Sequence, residues 1–126
     1  MYDLALNVIT GAGAGYTATT MLVPDTYLEL DGTEKTDKTR GLTRAIGGGI
    51  AGLTAMAIHG RQSDSVDVKK AALCSLCTSF IGYGANNVHR IVKNKDSKAA
   101  KIDLAVCVGL GALATTALVK NHKPSP

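Results

Sequence analysis

Charged and uncharged residues follow one another along this chain in long blocks. Four runs contain no Asp, Glu, Lys or Arg, and they are 21, 16, 18 and 16 residues long: Leu4–Pro24, Ala45–Gly60, Ala71–Val88 and Leu104–Val119. A helix that crosses a bilayer needs about 20 apolar residues, with a range of roughly 17–25. Connectors rich in charged residues separate the runs. The pattern therefore predicts an all-α fold, an integral membrane bundle of about four transmembrane helices with polar connecting loops.

The residues that punctuate the runs set the expected helix boundaries. Pro24 should end the first helix, because proline cannot continue the backbone hydrogen bonds of a helix. Thr39, Ser65 and Ser97 stand where side chains commonly cap the first turn of a helix. We expect a single membrane domain over residues 1–126, with helices at about 3–24, 39–60, 65–93 and 97–120 and a C-terminal tail at 121–126.

A soluble four-helix bundle is the alternative architecture. It requires a polar residue at every third or fourth position to form a solvated stripe on each helix. The segments "AIGGGIAGLTAMAI" and "LAVCVGLGALATTALV" offer only Thr, Gly and Cys for such a stripe. The pattern therefore favours the membrane bundle over the soluble one.

The basic residues give an expected orientation in the membrane. Nine Lys or Arg residues lie in the first and third connectors, whereas five lie in the middle connector and the C-terminal segment. Lys and Arg are enriched in the loops on the cytoplasmic side of a membrane. We therefore expect the first and third connectors on the cytoplasm, matrix or stroma side, with both termini opposite.

Small residues recur four positions apart in each uncharged run. In apolar helices this spacing makes a flat face that lets two helix backbones approach closely. We therefore expect these residues to pack against neighbouring helices: Gly11 and Gly15, Gly48 and Gly52, Ser75 and Ser79, and Ala105 and Gly109.

Composition agrees with a membrane bundle. The chain has 14 glycines and no tryptophan, and charged residues make up 19% of it, below the roughly 25% typical of soluble domains. Its mean hydropathy is only slightly positive, because that average mixes polar connectors with uncharged runs. The net charge of +4 is spread along the chain without a dense basic patch, so no nucleic-acid partner is expected.

The stretch "VITGAGAGYTATTMLVP" suggests a second alternative, a nucleotide-binding fold. "LALNVIT" would be a strand, "GAGAG" the phosphate turn, "YTATTMLV" a helix and "TYLELD" a second strand, with Asp31 placed 20 residues after Gly11 to bind a ribose. "TGAGAG" resembles the phosphate turn of short-chain dehydrogenases. Thr17 replaces the last glycine of that turn, however, and no Tyr-x-x-x-Lys pair occurs, since Tyr83 is followed four residues later by Asn87. This alternative is therefore the weakest.

Candidate cofactor contacts are few. A neutral imidazole can bind the magnesium of a chlorophyll or a haem iron, so His59 and His89 are candidate pigment or haem contacts, although an interfacial histidine that only hydrogen-bonds is the more common case. Asn86 and Asn87 are the most polar residues inside an uncharged run. We expect them to bond between helices, with contacts to chlorophyll or carotenoid as the alternative role.

Residues for catalysis or metal binding are not brought together by the sequence. "CSLC", from Cys74 to Cys77, has the spacing of a redox or zinc motif, but a zinc site needs about four ligands and Cys107 is expected at the other face of the membrane. Asp3 and Asp103 stand at the ends of runs, where water should reach them. We therefore expect no catalytic residues, no metal site and no enzymatic activity.

The arrangement "MLVPDTYLEL…TRGLTRAIGGGIAGLTAMAI" is similar to that of small four-helix membrane proteins of the ergosterol-biosynthesis scaffold type. In those proteins a first span ends in a Pro-containing turn, and a basic residue with glycine opens the second. The resemblance implies a four-span, non-catalytic organiser.

The expected function is that of an accessory or structural subunit in a large energy-transducing membrane complex. A photosystem–antenna supercomplex is slightly favoured over a respiratory complex, because of the candidate pigment contacts. The expected location is a thylakoid or mitochondrial inner membrane, and the expected partners are membrane lipids and other membrane subunits. A stand-alone scaffold or lipid-associated protein is the first alternative, and a small nucleotide-binding oxidoreductase is the second.

Overall fold

The computed structural model describes residues 1–120, and these residues form an all-α fold, as predicted. Five helices follow one another in this part of the chain: α1 (Tyr2–Leu22), α2 (Pro24–Asp31), α3 (Asp37–Gln62), α4 (Val66–Lys93) and α5 (Lys98–Lys120). The four long helices correspond to the four predicted ones. The predicted tail at 121–126 lies outside the described residues.

The short helix α2 was not predicted and lies within the first connector. Pro24 occupies its first turn, where a missing backbone N–H costs nothing, and Asp25 follows in the same turn. Gly32 ends the helix with a φ of 70°, a left-handed conformation that glycine adopts without the clash of a Cβ atom. The break between α1 and α2 is confined to Val23, so the chain turns sharply there.

The caps of the long helices agree with the predictions except at α3. The N-cap of α3 is Thr36 rather than Thr39: Thr39 is the third residue of the helix, and the two side chains bond reciprocally to each other's backbone N–H. Ser65 caps α4 and accepts a hydrogen bond from Val68 N at 3.4 Å. Ser97 Oγ accepts from the backbone of the first turn of α5 at 3.2 Å. Thr39 was an incorrect choice because both threonines belong to one capping box.

The long helices pack as two antiparallel pairs, α1 with α3 and α4 with α5. In the first pair Gly13 lies against Thr54 and Gly47 lies against Thr20, so residues further along α1 meet residues earlier in α3. A Cβ added at Gly13 would lie 2.1 Å from the hydroxyl of Thr54, and one at Gly47 would lie 2.4 Å from that of Thr20. The close approach of α1 and α3 therefore requires glycine at both positions.

This pairing gives the bundle two distinct ends. One end, here called the α2 end, carries α2 and the connection from α4 to α5. The opposite end carries Met1 and the connection from α3 to α4, where Lys69 forms an ion pair with Asp3. The core between the two ends is small: the largest fully buried apolar side chains are Leu6, Leu73 and Leu76.

The eight predicted packing residues do not hold the helices of this chain together. Seven of them are exposed and Ser79 is partly exposed. A Cβ added at any of the five glycines among them would meet no neighbouring atom within 4 Å: Gly11, Gly15, Gly48, Gly52 and Gly109. The prediction failed within the chain because four-residue spacing identifies a face of a helix without saying which way it points. Contacts of these residues with another chain stay a prediction.

The outer surface of the bundle carries no charge over the middle of its four long helices. Large apolar side chains are exposed within the uncharged runs of all four long helices, including Leu22 at 78%, Ile81 at 74% and Val108 at 62%. We call this surface the uncharged belt, and it comprises the outward residues of the four runs at 4–24, 45–60, 71–88 and 104–119. Two of the described helices, α3 and α5, are long and apolar enough to cross a membrane.

The contact of Gly13 with Thr54 gives a first testable prediction. We expect Gly13→Ala to lower the free energy of unfolding by about 1–3 kcal/mol, because an added methyl group overpacks the contact. Thr54 cannot swing aside freely, since its hydroxyl donates to Ile50 O at 2.8 Å. The matched change Gly11→Ala should leave stability unchanged or raise it by up to about 1 kcal/mol, because alanine favours a helix over glycine and the added Cβ meets no atom within 4 Å. Unfolding by SDS in mixed micelles, followed by circular dichroism, measures both, and equal effects would contradict the assigned helix faces.

Candidate functional site

The α2 end encloses a cluster of charged and polar side chains from four helices. Asp103, five residues into α5, is at its centre. Its Oδ1 accepts a hydrogen bond from the hydroxyl of Tyr16 at 2.8 Å, and its Oδ2 accepts from the hydroxyl of Tyr27 at 2.6 Å. Arg90 Nη1 donates to the same Oδ2 at 3.1 Å. Asp103 therefore joins α1, α2, α4 and α5, and only 12% of its side chain is exposed.

Arg90 connects Asp103 to a second carboxylate, Asp31, at the end of α2. Its Nη2 forms an ion pair with Asp31 Oδ1, and its Nη1 also donates to Asn87 Oδ1 at 2.8 Å. Ser97 Oγ donates to Asp31 Oδ1 at 2.8 Å, and the hydroxyl of Thr33 donates to Asp31 Oδ2. The guanidinium thus lies between two carboxylates, and we call Tyr16, Tyr27, Asp31, Arg90 and Asp103 the ion cluster.

Hydrogen bonding and burial shift the pKa values of Asp31 and Tyr27, the two members of the ion cluster that α2 supplies. Burial by itself disfavours the charged form of Asp31. The hydrogen bonds from Thr33, Ser97 and Arg90 outweigh that effect, and the pKa of Asp31 lies below its ordinary value. Burial and the hydrogen bond to Asp103 raise the pKa of Tyr27 well above its ordinary value. Asp31 is therefore held as a carboxylate and Tyr27 as a neutral donor.

One expectation about an acidic residue is overturned by this cluster. Asp103 was expected at the end of a run where water reaches it. The short helix α2 folds over the α2 end and supplies both Tyr27 and Asp31. Asp103 is consequently covered, and the two carboxylates share one guanidinium. The expectation was wrong because it treated this segment as an extended, solvated connector.

The ion cluster connects α2 to the other helices of the bundle. Asp103 accepts from Tyr16, Tyr27 and Arg90. Asp31 accepts from Thr33, Ser97 and Arg90. Breaking one member leaves buried charge without a partner, which is costly. We therefore assign the cluster the task of fixing α2 against the bundle.

A cavity of about 190 Å³ lies between the four long helices and ends at the ion cluster. Most of its wall is apolar, with Ile9, Leu53 and Phe80 among the lining side chains. Its polar wall lies towards the α2 end, where Arg90 and Asp103 contribute. This cavity was not predicted, because no pattern of one helix shows what the four helices leave unfilled between them.

The four candidate pigment contacts are not brought together. His59 and His89 are both exposed, on different helices, and neither lines the cavity. Asn86 is exposed and lines the cavity. Asn87 is 4% exposed, accepts from Arg90 and directs its amide towards Cys107 Sγ on α5 at 3.8 Å. Asn87 thus makes the contact between helices that was expected of it, while cofactor binding by any of the four stays a prediction.

The three cysteines are free thiols, and Cys107 lines the cavity beside Asn87. Cys74 is exposed, and Cys77 lies 3.7 Å from Thr115 Oγ1. Residues 1–120 contain no group of three or more His, Cys, Asp or Glu side chains placed to hold a metal ion.

The nucleotide-binding alternative loses its structural basis. "LALNVIT", "GAGAG" and "YTATTML" belong to the single helix α1, Val23 forms the break after it, and "TYLELD" belongs to α2. No strand occurs within residues 1–120, so the strand–turn–helix unit that cradles a pyrophosphate is not formed there. Asp31, which would have bound a ribose, pairs with Arg90 instead.

The members of the ion cluster were missed because they are far apart in sequence. Tyr16 and Asp103 are separated by 87 residues, and Asp31 and Arg90 by 59. One signal was available: "PDTYLELDG" has Pro at the start, Asp behind it and Gly after its last residue, which together indicate a short helix. A helix there would have directed Tyr27 and Asp31, four residues apart, to the same face.

Removing the shared guanidinium tests the role of the cluster. We expect Arg90→Met to lower the free energy of unfolding by about 3 kcal/mol, because it leaves Asp31 and Asp103 without their cation. The control Lys93→Met removes an exposed charge from the same helix and should change stability by no more than about 0.5 kcal/mol. SDS unfolding in mixed micelles at neutral pH measures both. A similar small loss in the two variants would show that the cluster does not hold the fold together.

Comparison of the chain with protein family models, with curated proteins and with solved structures finds no match. The resemblance to the sterol-scaffold type therefore gains no support from these comparisons. The function has to be inferred from the geometry of the chain itself.

Proposed function

We propose that this chain is an integral membrane protein whose four long helices all cross the bilayer, and that it is a non-catalytic structural subunit of a larger membrane assembly. The single observation that carries the proposal is the uncharged belt. Soluble monomers rarely expose a continuous apolar surface larger than a few hundred Å². Here large apolar side chains are exposed on all four long helices, and charged side chains are confined to the two ends of the bundle.

The burial of the most apolar helices argues against a soluble bundle. A core helix of a soluble protein is apolar because it is mostly covered by its neighbours. Only 22% of the most apolar stretch of α3 and 11% of that of α5 is buried inside the protein. These helices direct apolar side chains outward, which is favourable in lipid and unfavourable in water.

Helices α1 and α4 are included in the proposal because they share the belt. The runs in both helices contain Gly, Thr and Asn, and that of α4 also contains Ser, and these residues lower the mean hydropathy. Neither helix is therefore counted with α3 and α5 among the candidate membrane spans. Several of their hydroxyls bond to the backbone of their own helix, such as Thr19 to Gly15 O and Thr78 to Cys74 O. A hydroxyl satisfied in this way costs less to place in lipid. Antiparallel packing with α3 and α5 then carries both helices across the same thickness of bilayer.

The small residues on the outward faces of the helices support a structural role. The four pairs of small residues lie on the outside of the bundle, where another transmembrane helix could approach the backbone closely. The carboxylates of the ion cluster accept hydrogen bonds from side chains of the same chain, which supports a structural task for them. We propose an energy-transducing complex as the assembly, with a photosystem–antenna supercomplex preferred over a respiratory one. This preference rests on His59 and His89, whose exposed imidazoles could bind a pigment held at a contact with a neighbour.

Two steps on one preparation test the proposal. Membranes from cells that produce a tagged copy of the full chain are first extracted with alkaline carbonate, and we expect the chain to stay in the pellet. The remaining membranes are solubilised in mild detergent, and partner subunits are quantified after affinity purification. Release into the carbonate supernatant would contradict membrane insertion, and recovery of a solitary monomer would favour a stand-alone scaffold.

A matched pair of variants tests the outward small residues. Gly48→Leu places a large side chain on one of the predicted faces, whereas Gly82→Leu places it at another exposed glycine outside the four pairs. Both variants should fold, because a Cβ added at either glycine would meet no neighbouring atom within 4 Å. We expect Gly48→Leu to recover about tenfold less partner, equivalent to 1.4 kcal/mol of association, and Gly82→Leu to behave as the natural chain. Equal recovery would mean that the Gly48 face contacts lipid.

A further inference from the structure

The central cavity has the dimensions of a narrow channel. On α4 its wall extends from Leu76 to Arg90, which at the rise of an α-helix is roughly 20 Å along the axis. Its volume is about 190 Å³, and a dry apolar cavity of about 150 Å³ is known to accept benzene. Scaled from benzene, this volume accepts roughly eight non-hydrogen atoms, which as an extended unbranched chain span about 10 Å, or half of this length.

The wall of the channel changes from apolar to polar along its length. Ile9, Leu53 and Leu76 line the part nearer the opposite end of the bundle. Tyr83 and Asn86 follow towards the α2 end, and Arg90 with Asp103 closes it. A ligand that fits this wall has an apolar chain and one polar end, because ligand sites commonly combine an apolar wall with a few placed polar groups.

The charges at the polar end select an uncharged head. Arg90 is already shared by two carboxylates, Asp103 and Asp31, so the group carries an excess of negative charge and disfavours an anionic ligand. The side chains of Tyr83 and Asn86 make no hydrogen bond to another residue in the described part of the chain. Their hydroxyl and amide groups can donate to and accept from a ligand hydroxyl.

The channel reaches the surface between α3 and α4. Ile46 on α3 is 47% exposed and Asn86 on α4 is exposed, and both line the cavity. Gly49 lies at the same boundary, where an added Cβ would be 3.5 Å from the hydroxyl of Tyr83. The absence of a side chain at Gly49 thus keeps the space beside Tyr83 open. Entry is therefore from the side of the bundle rather than from its ends.

We propose that the channel binds one uncharged, single-chain amphiphile of the fatty-alcohol class. Its chain occupies the apolar part among Leu53, Leu76 and Phe80, and its hydroxyl bonds to Tyr83 and Asn86. The ligand enters laterally between α3 and α4. The channel is formed by one chain alone, so its occupancy can be measured whether or not the chain joins a larger assembly, and the measurement in lipid rests on the proposed membrane insertion.

The single phenylalanine of the chain provides a probe inside the channel. Phe80 is the only Phe in the sequence and lines the cavity. Incorporation of 4-fluorophenylalanine therefore gives one ¹⁹F resonance that reports on the channel wall. The protein in lipid nanodiscs is titrated with 1-octanol, and we expect a shift of this resonance that saturates. A shift that only grows linearly with octanol, or no shift, would overturn the proposal, because partition into lipid alone behaves in that way.

A matched pair of variants tests whether octanol binds inside the channel. Ala12→Leu fills part of the channel, whereas Ala14→Leu adds the same side chain on the exposed side of α1. We expect octanol to bind the first variant at least about tenfold more weakly and the second as it binds the natural chain. Equal saturable binding to both would place the ligand outside the channel.

The head group is tested with two analogues of the same chain length. Octane lacks the hydroxyl and should bind about three- to tenfold more weakly than octanol, which corresponds to one lost hydrogen bond. Octanoate, measured at pH 8, should bind more weakly than octane because of its charge. Binding of octanoate equal to or tighter than that of octanol would overturn the proposed selection of an uncharged head.

Discussion

The arrangement of this molecule depends on one constraint: no charged side chain is available over the middle of its four long helices. Each helix has an inward face built largely from Ala, Gly, Leu and Thr, and an outward face that is equally uncharged. The charged side chains are therefore confined to the two ends of the bundle. The ion pair of Asp3 with Lys69 lies at one end, and the ion cluster lies at the other.

The ion cluster and the central cavity are consequences of how the α2 end is closed. Helix α2 covers that end and is fixed there by Tyr27 and Asp31, which reach Asp103 and Arg90 inside the bundle. The same charged pair forms the polar wall of the cavity. A structural network and a channel wall thus share their residues, and a change that loosens α2 should also alter the polar end of the channel. Burial of this network beneath α2 keeps it away from bulk water, where its charges would gain little from pairing.

Much of the architecture could be predicted from the sequence, because helices in this chain are interrupted by strong local signals. The four uncharged runs located the four long helices, and Ser65 and Ser97 marked the starts of α4 and α5 correctly, whereas Pro24 begins α2 instead of ending α1. The contacts between helices could not be predicted, since Gly13 and Gly47 face inward while Gly11 and Gly48, only one or two residues away, face outward. The spacing of the glycines along the sequence does not distinguish the inward glycines from the outward ones. The ion cluster was missed because its parts meet only after α2 folds back over the bundle, and Asp103 was consequently expected in water.

The most direct test of the membrane bundle is the environment of α4, because α4 is not among the helices that are apolar enough by themselves to count as candidate membrane spans. A spin label at Ile81→Cys, in a chain whose three cysteines are replaced by alanine, would lie in the middle of the belt, where Ile81 is 74% exposed. A label at Val66→Cys would lie at the start of α4, outside the uncharged run. Collision with oxygen and with a water-soluble nickel chelate is then measured in lipid vesicles. Membrane insertion predicts that oxygen dominates at position 81 and nickel at position 66, whereas nickel access equal at both positions would contradict it.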